Sequence, residues 1–496
     1  MKRILPFLLP ALLSLASCDL DLYPFTSYNE GNVEMEEEQQ YSTREEMQGL
    51  RNSLYSSWIK DIQEKDWCDW LIYSEVRADN AYNGSPSTGE LVAIEANKID
   101  GDNKNVKRDW DWYLYQVSNA NQIICNIDQI PSSQLPTAER NQWKAEALIW
   151  RAYCLFRMSM LWGDIPVVTV IPPAITAENI EQVYHAYYPV RQSVDVVYER
   201  IIEDLEFGVR YAPAVDPANK FLLSKAFANG LLARVYAEKP RQDWEKVAEY
   251  CQTVEGMGFR LVDNYADLWG YDENDAWRNS SESIFEVTWS RSVGNWVWMM
   301  FHRNAWEPDD SYTWQKWVTP SRDLIAAYEA ENDTRRLNAS VVTDACGWSN
   351  YYPETAYKFM NKVPTNASSC IMMRLAEIYL LHAEALTMTD RLEEAAAYVN
   401  LVRERAGLSD LPASAMADRE SMLEAVLHER RLELAFEGFR FFDLARHGKA
   451  AQVCDAVVGS DSYWQPRVPL TDETILLPVS QEALDTNPSL TQNPGY

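Results

Sequence analysis

The sequence lacks the short motifs that mark the common enzyme classes. It contains no H-E-x-x-H, no G-x-S-x-G, no G-x-x-x-x-G-K-[ST], and no G-x-G-x-x-G after a predicted strand. Histidine is also scarce, with five residues among 496, and none has the spacing of a metal-binding pair. These absences argue against metallopeptidase, serine hydrolase and nucleotide-binding chemistry, so we predict no metal, no cofactor and no catalytic residue.

Basic residues are also few relative to acidic ones. The chain has 45 basic against 74 acidic residues, a formal net charge of −29 at pH 7. Because so acidic a surface repels phosphate groups, we expect no nucleic-acid partner, and anionic lipid headgroups are disfavoured. The same balance favours neutral or cationic ligands over sulfated or uronate ones, although the local arginines Arg77, Arg291 and Arg303 could override it.

Cysteine pairs are missing from the sequence too. None of the eight cysteines stands in a C-x-x-C motif, and setting Cys18 aside leaves the odd number of seven. A mature chain of about 480 residues can bury a large core without covalent cross-links. We therefore expect most of these cysteines to be buried as small apolar side chains.

The N-terminus has the layout of an export signal. Lys2 and Arg3 precede the apolar run "ILPFLLPALLSLA", which ends in small residues. The run is too short to span a bilayer, for which about 20 apolar residues are needed. The cysteine that follows, in Leu15-Ala16-Ser17-Cys18, resembles a bacterial lipobox. That resemblance implies cleavage before Cys18 and lipid attachment to it, whereas the alternative is plain secretion with a chance cysteine.

These features divide the chain into a signal peptide at 1–17 and a lipid anchor with an extended acidic tether at 18–40. The remainder is predicted to form one integrated globular unit, with an N-terminal part at 41–258 and a C-terminal part at 259–496. Membrane attachment would then depend on the acyl chains, since several buried chains are needed for stable anchoring.

The rest of the chain is dominated by apolar residues with helical period. "AERNQWKAEALIWRAYCLFRMSMLWGD" carries a wide apolar stripe. Similar stretches follow in pairs, with small residues beside Tyr, and this pairing resembles tetratricopeptide hairpins. We predict a mainly α fold of such hairpins, with a few short strands such as "SIFEVTWS" and long loop insertions at 61–113 and 259–365. We expect the last helix to end at Gly438.

Aromatic residues are abundant, with 19 Trp and 27 Tyr, and many stand in polar segments of the insertions. A flat ring can stack on the C–H face of a sugar, while Asn, Asp and Arg side chains match its hydroxyl groups. The alternative for any single Trp is that it anchors its own loop. The residues predicted to bind a glycan are Trp67, Trp70, Tyr73, Arg77, Asp79, Asn80, Trp296, Trp298, Trp306, Trp314, Trp348 and Tyr351.

Paired carboxylates offer a competing, catalytic interpretation. Glycoside hydrolysis uses two carboxyl groups about 5 to 9.5 Å apart. Glu75 with Asp79, or Asp309 with Asp310, could supply such a pair. Because the chain has 74 carboxylates, closeness in sequence says little, and we expect a binding protein and not an enzyme.

Several segments resemble the SusD/RagB family of outer-membrane glycan-binding lipoproteins. They are "CDLDLYP" at the lipobox, "HERRLELAFEGFRFFDLARHGK", and the terminal "LLPVSQEALDTNPSLTQNPGY", together with "RLAEIYLLHAEAL" and "WGDIPVV". The resemblance covers nearly the whole mature chain. It implies an α-helical scaffold of tetratricopeptide-like hairpins under a variable, loop-rich face.

The resemblance also implies a function and a partner. Members bind oligosaccharide at the cell surface without cutting it, and pass it to a TonB-dependent transporter of the SusC type. Peptide binding, as in the RagB branch, and a lipid-anchored glycoside hydrolase are the alternatives. Structural roles are implied for the last helix and the "TQNPGY" end, the former through Arg430, Arg431, Glu433, Glu437 and Arg440.

The sequence departs from the family pattern just behind the lipobox. In the family, the signal for export to the cell surface is a run of acidic residues or of Ser and Asp directly after the cysteine. The stretch "DLDLYP" has only two acidic residues at that place. Exposure at the cell surface is therefore implied by the family and not by this stretch.

The lipobox leads to the first testable prediction. Cys18→Ala should move the protein from the membrane fraction to the soluble fraction without unfolding it, because the tether lies outside the predicted core. Fractionation followed by thermal melting measures both effects, and Cys125→Ala, which keeps the lipobox, should remain with the membrane. Tight membrane association of the Cys18→Ala protein would show that the anchor is not this cysteine.

Overall fold

The structure, a computed structural model, describes residues 41–496 apart from 86, 177, 270–277, 302–314, 458 and 465. The predicted signal at 1–17 and the predicted tether at 18–40 lie outside this range. Most of the described elements are helices. They are α1 (Arg44–Ile62), α2 (Asp69–Leu71), α3 (Gly89–Glu95), α4 (Lys104–Asn126), α5 (Thr137–Trp162), α6 (Ile180–Tyr187), α7 (Val194–Tyr211), α8 (Lys225–Ala237), α9 (Trp244–Glu255), α10 (Trp298–Phe301), α11 (Arg322–Ala330), α12 (Thr334–Ser340), α13 (Leu375–Met388), α14 (Leu392–Ala406), α15 (Arg419–Glu433), α16 (Arg440–Arg446), α17 (Ala450–Ala456) and α18 (Gln481–Thr486).

The long helices pack one against the next largely in sequence order, and the fold is mainly α, as predicted. The order of packing is α1, α4, α5, α7, α8, α9, α13, α14 and α15. Small residues allow the closest approaches. A Cβ added to Gly208 in α7 would lie 2.5 Å from Ile149 Cγ1 in α5, so these two helices meet more closely than a larger residue permits. The division into parts at 258/259 stays a prediction.

The strands of the described residues form four short antiparallel pairs. The strands are β1 (Ala81–Tyr82), β2 (Ile165–Pro166), β3 (Arg191–Gln192), β4 (Ser283–Val287), β5 (Thr319–Pro320), β6 (Val341–Asp344), β7 (Tyr357–Met360) and β8 (Cys370–Arg374), paired β1–β5, β2–β3, β4–β8 and β6–β7. The strand expected in "SIFEVTWS" is β4. The segment "IMMR", which directly precedes "LAEIYLLHAEAL", pairs with β4 as part of β8, and α13 begins at Leu375.

The segment after α1 corrects the prediction of a polar loop insertion at 61–113. α1 continues through two π-helical segments, Gln63–Cys68 and Ile72–Val76, separated by α2. Insertions of π-helix re-aim side chains within a helix and are uncommon. Most of this segment is buried, and its many carboxylates have partners elsewhere in the fold.

A buried ion-pair network surrounds Glu433 at the end of α15. Its Oε1 accepts from Arg374 Nη1 at 2.5 Å and also from Arg405, while its Oε2 lies 3.2 Å from Arg336 Nη1. We call these four residues the Glu433 network. Glu433 is fully buried, and the three guanidinium groups hold its pKa well below the usual range despite its burial. The network joins β8, α12, α14 and α15, which confirms a structural role for Glu433.

A second set of ion pairs fixes the turn after α15 and the start of α16. Arg430 Nε donates to Asp443 at 2.8 Å, and Lys362 Nζ donates to Glu437 at 2.6 Å. Arg440 Nε donates to Asp79 at 2.8 Å. These contacts confirm that the charged residues of this motif hold the helix in place.

Gly438 lies in the turn and not at the helix end, because α15 ends at Glu433. It still has a left-handed backbone, with φ of +86°. Its carbonyl accepts from Trp70 Nε1 at 2.8 Å, and its N–H donates to Glu75 at 3.1 Å. A Cβ here would lie 2.4 Å from Trp70 Cδ1, so the position requires glycine on two grounds.

The C-terminal residues run extended along the scaffold, as expected. Asn493 Nδ2 donates to the Trp162 carbonyl at 3.0 Å, Arg191 Nη1 donates to the Thr491 carbonyl at 2.8 Å, and Tyr496 OH donates to the Leu476 carbonyl at 2.8 Å.

The described cysteines are free thiols, and six of these seven are buried. They pack as small apolar side chains, as predicted. No helix in the described ranges combines the length and apolar character needed to cross a bilayer.

The Glu433 network predicts a strong, pH-dependent effect on stability. Glu433→Gln removes the charge that compensates three buried guanidinium groups and should cost about 3 to 5 kcal/mol of unfolding free energy. Because the pKa of Glu433 is lowered in the folded state, its contribution is complete above the usual value of 4.5 and is lost as pH falls below it.

Denaturant titration at pH 7 and at acidic pH measures both effects. The control is Asp390→Asn, which breaks the exposed pair with Arg419 and should leave the midpoint nearly unchanged. Equal effects of the two substitutions at pH 7 would show that burial does not strengthen the network.

Gly438 supplies a matched test of close packing. Gly438→Ala should destabilise the protein by about 2 to 5 kcal/mol, from left-handed strain together with the clash on Trp70. Gly448→Ala is the control, because Gly448 has a similar φ of +69° and open space around its Cα. It should cost only the strain, about 1 kcal/mol. Thermal melting measures the loss of stability in both variants, and the difference between the two losses gives the cost of the clash with Trp70. Equal losses of stability would contradict the clash.

Candidate functional site

Trp67 and Trp70, predicted as stacking platforms, are buried. The Trp70 ring stacks on Phe442 at 4.5 Å, and the Arg157 guanidinium lies 3.5 Å from its centroid. Trp67 stacks on Trp289 at 5.3 Å. The cavity lined by both Trp67 and Trp70 has a volume of about 40 Å³, which admits a few water molecules and no sugar ring. Their assignment to an open binding surface is therefore wrong.

The polar residues that follow are also interior, between 0% and 3% exposed. Tyr73 OH donates to Asp109 at 2.9 Å, and Arg77 Nη1 donates to the Ile475 carbonyl at 2.9 Å. Asp79 and Asn80 are held by Arg440 and Arg431. Because each of these groups is engaged within the protein, the prediction that Tyr73, Arg77, Asp79 and Asn80 face a glycan is corrected.

The same burial applies to the carboxylate pair considered for hydrolysis. Glu75 is fully buried and accepts from the N–H groups of Phe436 and Gly438, both at 3.1 Å. Burial raises the pKa of Glu75, while the adjacent arginines hold the pKa of Asp79 below its usual range against its burial. Neither carboxyl group can reach a glycosidic bond. Asp309 and Asp310 lie outside the described residues.

The second tryptophan cluster lies next to the first. Trp296 is half-buried, and its backbone N–H donates to Gln63 Oε1 at 2.8 Å, whereas Trp298 is buried in α10. Trp306 and Trp314 lie outside the described residues. The contacts of Trp296 with Gln63 and of Trp67 with Trp289 show that the two insertions meet. Of this cluster, Trp296 stays a predicted ligand residue, and the buried Trp298 offers little surface.

A different aromatic surface is built where β1 pairs with β5. The pairing sets Tyr82 opposite Thr319, and Gly84 N–H donates to the Lys316 carbonyl at 3.0 Å. Two further segments, 346–352 and 461–464, cover this strand pair. Together these segments bring five rings into contact, Tyr82, Tyr351, Tyr352, Tyr463 and Trp464, while the Trp348 ring packs on Lys316. We call these six rings the tyrosine face.

The rings of the tyrosine face are fixed by stacking. Tyr82 lies parallel to Tyr351, with centroids 4.6 Å apart and planes at 2°, and Trp464 meets Tyr82 at 4.5 Å. Those three rings are buried. Tyr463 is 39% exposed, and Trp348 and Tyr352 are half-buried. Two partly open rings, Tyr352 and Tyr463, therefore lie on a buried aromatic base, and the half-buried Trp348 ring packs on Lys316.

Hydrogen bonds tie these rings to their loops. Tyr351 OH donates to the Asn83 carbonyl at 2.8 Å and Tyr352 OH to the Pro320 carbonyl at 2.8 Å. Tyr82 OH donates to Asp461 at 2.5 Å, and burial is the main cause that raises the pKa of Tyr82. The loops are thus held by their own aromatic side chains.

Two cations lie against the rings. The Arg322 guanidinium is 3.7 Å from the Tyr463 centroid and 4.4 Å from the Tyr352 centroid. Lys316 Nζ is 3.2 Å from the Trp348 centroid and donates to the Trp348 carbonyl at 2.7 Å. Burial lowers the pKa of Lys316 to about 8.

Sequence reasoning found part of this surface and missed the rest. Trp348 and Tyr351 were among the predicted residues, whereas Tyr463, Lys316 and Arg322 were not. A usable signal existed in "SDSYWQPR" at 460–467, where two aromatic residues stand among polar ones. It lies outside the two long insertions.

A larger cleft, of about 490 Å³, lies between α5, α7, α16 and the C-terminal residues 491–494. Its lining is mainly scaffold helices and the tail, and its acidic and basic groups Glu238 and Arg446 face each other at 3.6 Å. The described residues contain no group of three or more His, Cys, Asp or Glu side chains placed to hold a metal.

Comparison with known families gives a match on both halves of the chain. The sequence model of the SusD family matches residues 248–496. A second model, described as starch-binding associating with the outer membrane, matches residues 32–237. Among curated relatives, SusD-like protein P38 of Formosa agariphila is 25% identical over 93% of this chain and 93% of the relative. SusD-like protein P25 of the same organism is 24% identical over 90% and 89%.

Solved structures share the fold. A SusD superfamily protein from Bacteroides vulgatus superimposes with a TM-score of 0.75 at 17% identity, covering 92% of this chain and 100% of that one. The surface glycan-binding protein A from Bacteroides thetaiotaomicron, in complex with laminarihexaose, gives 0.74 at 18% identity, with 91% and 100% covered.

Proposed function

Because this chain belongs to the SusD/RagB family, we propose that it binds glycans at the outer membrane without cleaving them. It passes them to a TonB-dependent transporter of the SusC type. Cys18 carries the lipid that holds the protein to the membrane, and the loop-rich face points away from that membrane toward the ligand. The family membership supports this assignment, as do the relatives whose names record glycan binding.

The observation that carries the proposal is the tyrosine face. Two partly open rings, Tyr352 and Tyr463, lie on a buried aromatic base, and the half-buried Trp348, which packs on Lys316, adds a third ring. Flat apolar rings beside polar groups suit the two surfaces of a sugar, its C–H face and its hydroxyl rim. Exposed loop groups such as Asn350 supply the polar partners. Trp296, half-buried in the same insertion as Trp348, stays a predicted ligand residue.

Affinity electrophoresis against a panel of polysaccharides tests the proposal. Tyr463→Ala and Trp348→Ala should each lower affinity ten- to hundredfold, since a stacked ring contributes about 1 to 3 kcal/mol. Trp296→Ala tests the sequence-predicted position in the same way. The matched control is Tyr115→Ala, because Tyr115 is 44% exposed on α4 of the scaffold. It should bind normally.

The outcomes separate the alternatives. Retardation by a polysaccharide without new products in chromatography supports binding, and cleavage products would favour a hydrolase. Retention on peptides with no response to any polysaccharide would favour the RagB-like alternative. If the ring variants bind as well as the Tyr115→Ala control while melting normally, the tyrosine face is not the glycan site.

A further inference from the structure

We propose that the segment between α5 and α7 is a docking surface for a protein partner that presents an apolar patch bordered by basic side chains. This inference rests on the proposed function, in which that partner is the transporter. The segment extends from β2 to β3, and we call residues 165–176 and 178–192 the arm. The observation behind the proposal is that the arm holds an amphipathic helix, α6, with part of its apolar face uncovered.

The arm leaves and rejoins the scaffold at one strand pair. β2 pairs with β3 at its base, where Ile165 lies opposite Gln192 and Pro166 opposite Arg191. Within the arm, α6 makes no extensive contact with any other helix or strand of the described residues. The apolar residues of α6 are therefore not needed to pack the scaffold.

Hydrogen bonds within the arm fix its shape. Asn179 Nδ2 donates to the Ala174 carbonyl at 2.9 Å, and Tyr187 OH donates to the Pro173 carbonyl at 2.7 Å. These bonds hold α6 against the chain that precedes it. Because the shape of the arm is set before a partner arrives, less conformational entropy is lost on docking.

Exposed apolar side chains are concentrated in the arm. Fourteen large apolar residues are exposed among the described residues, and five of them lie in the arm, each between 38% and 55% exposed: Val170, Ile175, Ile180, Tyr184 and Val190. Scattered exposed apolar residues are normal on a protein surface, whereas a concentration of them marks an interaction site.

The apolar residues of α6 form a stripe along one side of the helix. Ile180, Tyr184 and Tyr188 are spaced by four residues, which places them on the same side. The rings of Tyr184 and Tyr188 lie 4.8 Å apart. Aromatic residues are enriched at the centre of protein interfaces, so this stripe has the composition of such a centre.

The stripe has an acidic border. The sequence from 167 to 190 contains two carboxylates, Glu178 and Glu181, and no Lys or Arg. Both glutamates are exposed, and neither has an ion-pair partner among the described residues. A partner whose apolar patch is bordered by basic side chains complements this arrangement.

The same charges disfavour other occupants of the stripe. A second copy of the chain would bring its own Glu178 and Glu181 against these, since a twofold interface sets the same patch against itself. The predicted tether at 18–40 is also acidic and has no basic residue. Helices that lie on anionic lipid carry Lys and Arg beside their apolar residues, and the arm has none there.

The course of the arm leads toward the end of the molecule from which the predicted tether leaves. The carbonyls of residues 168 and 169 accept from Asn121 and Cys125 in turn, so the chain runs toward the C-terminal end of α4. α5 follows α4 and begins at that end, and Arg44 at the start of α1 pairs with Glu139 at the start of α5. The described chain starts there, and a partner held in the membrane is reached from that side.

Photo-crosslinking in intact cells tests the inference without a destabilising substitution. Tyr184→p-benzoylphenylalanine places a reactive group in the stripe. Leu401→p-benzoylphenylalanine is the control, because Leu401 is 44% exposed on α14. After irradiation, the Tyr184 variant should form an adduct that mass spectrometry identifies as a TonB-dependent transporter, and the Leu401 variant should form none.

Substitutions in the stripe and its border give a second readout. Ile180→Ser combined with Tyr184→Ser should lower the amount of transporter that copurifies from detergent-solubilised outer membranes at least about tenfold. Glu181→Lys should lower it at least about threefold, and Glu393→Lys, which reverses an exposed charge on α14, should leave it unchanged. The melting temperature and glycan affinity of these variants should match the wild type, since the replaced side chains are exposed.

Each outcome has a distinct meaning. An adduct of Tyr184 with a second copy of the chain or with lipid overturns the choice of partner. A transporter that copurifies without forming an adduct at Tyr184, or that is retained by the Ser double variant, overturns docking through the arm and leaves the proposed function standing. If no transporter copurifies with the wild type, the inference and the proposed delivery to a transporter both fail, while glycan binding is measured separately.

Discussion

The Glu433 network is the constraint on which the rest of the molecule depends. A buried carboxylate surrounded by three guanidinium groups is stable only when all four side chains are in place, because a missing partner leaves an unpaired charge in the interior. This requirement sets α12, α14, α15 and β8 against one another. Beyond the end of α15, the pairs Lys362–Glu437 and Arg440–Asp79 are also buried, so each of these charges needs its partner in place as well. Asp79 precedes β1 by two residues, so the position of the tyrosine face follows from the ion pairs beneath it.

The helical scaffold could be read from the sequence because its signal is local. The apolar period of α5, and the charged motif around α15 and α16, lie within single segments and needed no knowledge of distant partners. The prediction for the segment from Gln63 to Asn80 was wrong for the opposite reason, because its contacts are with residues far away in the sequence. Its charges look like those of a solvated loop, and only the fold shows that Asp79 meets Arg431 and Arg440, more than 350 residues away.

The sequence predicted which type of residue forms the candidate site, but only part of its location in the chain. Aromatic residues in polar segments do form the tyrosine face, and Trp348 and Tyr351 were found that way. The same rule selected Trp70, which the distant Phe442 and Arg157 cover. Whether a ring is open or covered depends on residues that the local pattern does not contain. Tyr463 was missed because it stands in a short loop, although its local composition is of the same kind.

The contacts of residues 491–493 have a consequence for the order of folding. The carbonyl of Trp162, at the end of α5, accepts from Asn493 as well as from Arg191, and Arg191 Nη1 also donates to the Thr491 carbonyl. The pairs Asn493–Trp162 and Arg191–Thr491 are 331 and 300 residues apart in sequence, so forming them closes a very long loop of chain. Contacts of such large separation form more slowly than those within a helix or between adjacent helices. This corner of the scaffold is therefore expected to be completed late in folding, after the local helix pairs have formed.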